Sequence, residues 1–183
     1  LSYDHVPLSA LALDPDVITV NSFSKYFNMT GWRLGWLVVP DSLVPVFEKL
    51  AQNLFICAPT VAQHAALACF RPEALEIFEQ RRREFQRRRD YLVPALRALG
   101  FCVPVMPDGA FYVYAGIDRV AHPQRADSAA FSMAVLHDAH VAIVPGDDFG
   151  VAAPRRHVRF SYATKYERIE EAVARLRRLF AAG

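Results

Sequence analysis

One lysine stands among aromatic side chains in the stretch Asn21-Ser22-Phe23-Ser24-Lys25-Tyr26-Phe27-Asn28-Met29-Thr30-Gly31-Trp32-Arg33-Leu34-Gly35-Trp36. The chain spends its basic residues on arginine and keeps only Lys25, Lys49 and Lys165 as lysines. A position that retains a primary amine in such company suits a reaction closed to arginine. An amine that loses its proton adds to a carbonyl and condenses to a Schiff base, whereas a guanidinium stays protonated at any working pH. Enclosure by Phe23, Tyr26, Phe27, Met29, Trp32 and Trp36, with a second cation at Arg33, is expected to favour the uncharged amine.

Arg33 lies between Gly31 and Gly35. Its planar fork can grip two phosphate oxygens, and the small glycines let a ligand approach the backbone. Ser22 and Ser24 alternate about Phe23 and add hydroxyl donors for the same anion. Amine, hydroxyls and guanidinium at the end of a strand describe a site for a phosphorylated aldehyde. The competing reading is a loop lysine at Lys25 and a surface ion-pair partner at Arg33.

The elements that must position this stretch are short strands at Val17–Val20 and Leu34–Val39, the second ended by Pro40-Asp41. Helical periodicity follows over Ser42–Phe55, Thr60–Phe70 and a long Pro72–Leu99 segment that stops at Gly100. In the long helix Leu75, Phe78, Phe85, Leu92, Leu96 and Leu99 form a stripe interrupted by Arg82 and Arg89, which argues against a continuous coiled coil. A boundary is expected inside this helix, giving bodies of residues 1–75 and 76–183. After Gly100, strands at Phe101–Val105, Phe111–Tyr114, Val141–Val144 and His157–Tyr162 alternate with a helix over Ser128–Ala139. The last helix is announced by a capping box, Thr164-Lys165-Tyr166-Glu167, followed by Ile169, Val173, Leu176 and Phe180 on one face. The pattern is α/β.

The 183 residues are 53% apolar with 8 Gly and 12 Pro, which excludes a disordered chain, and no run of 18 apolar residues suggests a membrane span. The net charge of +2 gives no electrostatic case for nucleic acid or membrane. Arg81-Arg82-Arg83 and Arg87-Arg88-Arg89 are matched by Glu79 and Glu84 at helical ion-pair spacing and read as a solvated face. The i, i+3 pair His137 and His140 has no further ligands near it, so no metal is expected. Cys57, Cys69 and Cys102 read as three buried free thiols of a reducing compartment, the cytoplasm.

Ser22-Phe23-Ser24-Lys25, eight residues before Arg33 in Gly31-Trp32-Arg33-Leu34-Gly35, closely resembles the pyridoxal-phosphate lysine motif of the class I/II aminotransferases, of fold type I. Further motifs fall in that family's order. Pro107-Asp108-Gly109-Ala110-Phe111-Tyr112 looks like its P-x-G-A-F-Y strand, and Val144-Pro145-Gly146-Asp147-Asp148-Phe149-Gly150 like its V-P-G-x-x-F-G loop. Val158-Arg159-Phe160-Ser161-Tyr162-Ala163 is similar to the strand bearing its substrate arginine. The resemblance implies that Lys25 carries pyridoxal 5'-phosphate as a Schiff base. It implies that Ser22 and Arg33, with Ser24 as a lesser candidate, hold the phosphate, and that Arg159 pairs with a substrate α-carboxylate. An arginine alone on an apolar strand between Val158 and Phe160 suits a carboxylate on physical grounds too; the competing reading is a pair with a structural acid.

By the same resemblance residues 1–75 are the C-terminal part of a large, mainly parallel-sheet cofactor domain, and 76–183 are a small C-terminal α/β (α+β) domain. Leu1-Ser2-Tyr3-Asp4 is similar to the segment after the family's D-E-x-Y strand end. The family's pyridine-nitrogen Asp and ring-stacking aromatic are then expected in a first half outside these residues, and Tyr3 is not its ring-oxygen tyrosine. The activity implied is ping-pong transamination between an L-amino acid and a 2-oxo acid, by a homodimer, without nucleic acid or membrane partners. The 183 residues alone are expected to be inactive, with the apolar loop around Phe23, Trp32 and Trp36 facing water. Rival readings are a lyase on the same fold, an aminotransferase-like sensor domain of a transcription regulator, and an inactive α/β fragment.

Overall fold

A computed structural model describes residues 1–181. The chain divides into two compact units, one of residues 1–82 and one beginning at Arg83. The division falls inside a single helix.

In the first unit β1 (Thr19–Ser22) and β2 (Gly35–Val38) pair antiparallel, Thr19 opposite Val38 and Ser22 opposite Gly35. A Cβ on Gly35 would sit 2.5 Å from the Asn21 carbonyl oxygen, so the close approach of the strands requires glycine there. Helices α1 (Val44–Leu54) and α2 (Thr60–Ala68) follow, and α3 (Pro72–Ala98) begins on a proline, whose missing N–H costs nothing in a first turn. Phe23 and Met29 from the β1–β2 loop pack with Ala66 and Cys69 near α2 and with Phe78 of α3. The Cys69 thiol lies 3.3 Å from the Met29 sulfur, and burial pushes it up from its ordinary pKa.

Among the described residues the strand pairings are all antiparallel; β1 and β2 are joined by a loop holding only a 3₁₀ turn (Thr30–Trp32), where a parallel pair would need a crossover element. Two expectations need correction here. Only Cys69 of the three cysteines is buried; Cys57 and Cys102 are exposed. Of the loop aromatics, Phe23 is covered, whereas Trp32 and Trp36 are 45% and 40% exposed.

The second unit is a three-stranded antiparallel sheet in the order β3 (Tyr112–Gly116), β5 (His157–Ser161), β4 (Val144–Pro145), with α4 (Ser128–Ala139) and α5 (Tyr166–Ala181). The strand expected at Phe101–Val105 is reduced to one bridge, Cys102 with Gly116, and Pro104 has no N–H with which to extend it. Asp127 caps α4 by accepting from the Ala129 and Ala130 N–H groups at 3.0 Å. Helix α5 starts at Tyr166, its first turn closing on the Lys165 carbonyl, so Thr164 stands one residue outside. Phe101 is the hub of the core, with Phe160 at 5.0 Å, Phe180 at 5.8 Å and Phe131 at 6.1 Å between ring centres. One of the two arginines that break the α3 stripe braces a turn. Arg89, 2% exposed, pairs with Asp90 and donates to the Pro107 carbonyl at 2.7 Å, bracing the turn before β3.

His122 is buried edge-on against Phe131, and its Nδ1 accepts from the Gln124 N–H at 3.2 Å. Burial lowers its pKa, with Asp138 opposing weakly. The folded protein thus prefers neutral His122 more than the unfolded chain does. This stabilisation is complete above the unfolded value of about 6.5 and is lost as pH falls through the lower folded value. Unfolding free energy is therefore expected to decline below about pH 6.5, and His122→Phe to flatten that slope in denaturant titrations; a slope unchanged in the variant would exclude His122 as its source. Among the described residues, no helix is long and apolar enough to cross a membrane.

Candidate active site

The loop from Phe23 to Leu34 is held by its own short bonds. Ser22 Oγ accepts from the Ser24 N–H at 3.0 Å, and the Thr30 hydroxyl donates to the Ser24 carbonyl at 2.6 Å. The Thr30 carbonyl in turn accepts from Arg33 Nη1 at 2.8 Å. Thr30 therefore links the lysine side of the loop to the arginine side. Nothing in the sequence marks it, since its role depends on a turn only the folded backbone makes.

Two loop residues adopt left-handed backbone, Asn28 (φ 56°) and Arg33 (φ 54°). Asparagine tolerates this conformation; for arginine it is uncommon and costs about 1–2 kcal/mol. A strained residue persists where its surroundings hold it, often where a side chain must be aimed.

Ser22, Lys25 and Arg33 are exposed and Ser24 is half-buried. The structure thus places Ser24, Lys25 and Arg33 on this loop and Ser22 at the end of β1 that enters it. It does not enclose the Lys25 side chain, as the sequence suggested. Phe23, Phe27 and Met29 turn toward α2 and α3, and Phe23 meets Phe27 at 4.9 Å, so the apolar neighbours build the core beneath the loop and not a pocket around the lysine.

Arg159 belongs to the second unit, on the central strand β5, opposite Tyr114 of β3 and Val144 of β4. Its neighbours Val158 and Phe160 point into the core, which puts Arg159 on the other face. The guanidinium carbon lies 4.4 Å from the Phe149 ring centre and 5.5 Å from that of Tyr112. Its Nε is buried without a hydrogen-bond partner. A cation stacked on rings with an unanswered N–H is suited to a planar anion. Phe149 and Tyr112 lie in quoted motifs, but sequence alone gave them no contact with Arg159.

Phe149 is carried by a tightly held turn. Ser128, fully buried, donates to the Pro154 carbonyl at 3.2 Å and accepts from the Gly146 N–H at 3.3 Å. A Cβ on Gly146 would stand 2.1 Å from the Pro154 carbonyl oxygen, 2.6 Å from that of His157 and 2.9 Å from the Tyr114 hydroxyl. Two of these obstacles are backbone, so Gly146→Ala is expected to cost about 1–3 kcal/mol. The check is the denaturation midpoint; a loss under about 0.5 kcal/mol, ordinary for a surface change, would mean that the turn yields freely.

Residues 2–176 match the family model described as aminotransferase class I and II. The chain belongs to this family. It is 40% identical over 178 residues to the valine–pyruvate aminotransferase of Mycobacterium tuberculosis, covering 96% of this chain and 45% of that protein. It is 36% identical over 180 residues to a (5-formylfuran-3-yl)methyl phosphate transaminase of Methanocaldococcus jannaschii, covering 97% of this chain and 46% of that one. Among solved structures, an aminotransferase from Mycobacterium tuberculosis superposes with a TM-score of 0.91 at 39% identity, over all of this chain and 47% of its own. The chain thus spans about half the length of the aminotransferases it matches. These neighbours are fold type I aminotransferases, and the α/β class expected from sequence is the class found.

Proposed function

We propose that the protein to which these residues belong is a pyridoxal-phosphate-dependent aminotransferase acting between an L-amino acid and a 2-oxo acid. The observation that carries this reading is the placement of Ser22 at the end of β1 and of Ser24, Lys25 and Arg33 on the loop that follows, in a chain of this family. The donor set fits the cofactor: an amine for an aldehyde, and hydroxyl and guanidinium donors for a phosphate. Ser22 Oγ accepts from the Ser24 N–H, which leaves its own O–H for an anion. Bound pyridoxal phosphate supplies an aldehyde that condenses with amines and a ring that takes up the electron pair of a broken Cα–H bond.

Within that reading each side chain has one task. Lys25 Nζ would hold the cofactor and, when uncharged, would take the substrate α-proton and return it. Ser22, Ser24 and Arg33 hold the phosphate. Arg159 grips the α-carboxylate and so orients the Cα–H bond, a positional contribution. The two half-reactions are ping-pong, the first 2-oxo acid leaving before the second enters. The first unit then belongs to a large cofactor domain and the second is the small domain, in a homodimer.

The direct test is borohydride reduction of the full-length holoprotein followed by peptide mapping. Label at Lys25 is expected; label at Lys49 or Lys165 would refute the assignment. Residues 1–183 alone are expected to turn over more slowly than about 1 s⁻¹. Apolar side chains of the first unit, Val20 at 77% and Leu54 at 76% exposure among them, lack cover that a folded enzyme provides. Turnover assays with added pyridoxal phosphate decide this.

A further inference from the structure

Tyr26 follows Lys25 in the chain, and the proposed chemistry gives its phenol nothing to do. Yet the hydroxyl is engaged far from its own loop. It donates to Glu79 Oε1 at 2.7 Å, across 53 residues of sequence. The other oxygen of that carboxylate, Oε2, receives Arg82 Nε at 2.8 Å. Arg82 Nη1 then donates to the Ser2 carbonyl at 3.2 Å and the Tyr3 carbonyl at 3.4 Å. Glu79 and Arg82 stand on the last turn of α3 before the division between the units. The Tyr26 ring is itself wedged, 5.1 Å from Phe27 and 5.7 Å from Phe78 between centres.

We propose that Tyr26, Glu79 and Arg82 form a clamp that fixes the backbone beside Lys25 and so aims its amine; the three are positioning residues. This rests on the reading of Lys25 as the cofactor's lysine. The backbone of residue 25 is held on both sides: its carbonyl accepts from the Asn28 N–H at 3.1 Å, and the next side chain is tied to α3. Turning the lysine away requires shifting Tyr26, which breaks a hydrogen bond to a charged group. The clamp is not a switch. Burial first, then the Glu79 carboxylate, pushes the phenol up to about 12, so Tyr26 remains the donor at any working pH. Glu79 is in turn aimed by Arg82.

The test uses full-length holoprotein with Tyr26→Phe, Glu79→Ala, Glu79→Gln and the double variant Tyr26→Phe/Glu79→Ala. Three readings are taken on each: the borohydride-labelled peptide, the visible circular dichroism per bound cofactor, and kcat and KM for an amino donor. Tyr26→Phe is expected to lower kcat by about tenfold with KM within about twofold, the pattern of a misplaced reacting group. The dichroism should fall by about half or more, since it reports how firmly the linked chromophore is oriented. Glu79→Ala should reproduce both effects, and the double variant should add nothing, because all remove one shared interaction. Glu79→Gln, which keeps an acceptor, should retain more than half of the parental dichroism.

If label stays on Lys25 while Tyr26→Phe keeps parental dichroism and kcat, the clamp is overturned and the lysine assignment survives. If label lies elsewhere in the parent protein, both fall. Should Tyr26→Phe fail to fold, the contrast of Glu79→Ala with Glu79→Gln decides, and equal dichroism in the two overturns the proposal.

Discussion

Lys25→Ala in the full-length protein is expected to lower turnover by at least about two to four orders of magnitude, the contribution of a positioned proton-transfer group. Lys25→Arg should do no better, because a guanidinium neither condenses with an aldehyde nor gives up its proton. The structure makes the test clean. Lys25 is exposed, and the core beneath it is built from Phe23, Met29, Ala66, Cys69 and Phe78, so neither substitution should shift the unfolding free energy by more than about 0.5 kcal/mol. Single-turnover assays with an amino acid, beside a denaturation curve, measure both quantities. A tenth of parental turnover surviving in Lys25→Ala would remove the lysine from the chemistry.

Arg33→Ala and Arg159→Ala are expected to fail differently, since each guanidinium is assigned its own anion. Each charge-assisted contact is worth about 1.5–3 kcal/mol, or about one to two decades in affinity. Arg33→Ala should show that loss in cofactor dissociation, and Arg159→Ala in the KM of the amino acid. Alanine at position 33 keeps the cost of the left-handed backbone, φ 54°, so the difference reads the guanidinium and its bond to the Thr30 carbonyl. Cofactor loss in Arg159→Ala with substrate affinity intact would reverse the two assignments.

What sequence made legible, it did through residues that carry their meaning locally. Lys25, Ser22, Ser24 and Arg33 are neighbours in sequence and therefore neighbours in space, and a proline start at Pro72 and Gly100 just past the end delimit α3. Arg159 was legible because strand alternation separates it from Val158 and Phe160. Direction was harder. The sequence shows that Phe23 and Trp36 flank the lysine, but only the folded chain shows Phe23 in the core, Trp36 40% exposed and Lys25 itself exposed. Contacts that cross long separations were invisible too: Tyr26 with Glu79, Arg89 with Pro107, and Ser128 with Gly146 and Pro154 join segments whose spacing follows no local rule. Pro104 leaves the apolar run at Phe101–Val105 with a single bridge.

The bonds within the loop span very little chain. Ser24 reaches two residues back to Ser22, Thr30 six back to Ser24, and Arg33 three back to Thr30, while β1 and β2 close around them as a hairpin. Contacts this local need no docking of distant segments and can form on the timescale of a β-hairpin, about 1–10 μs. The bond from Tyr26 to Glu79 must wait for α3. The bonds among Ser22, Ser24, Thr30 and Arg33 are thus expected to form early in folding, and the one that ties Tyr26 to α3 last.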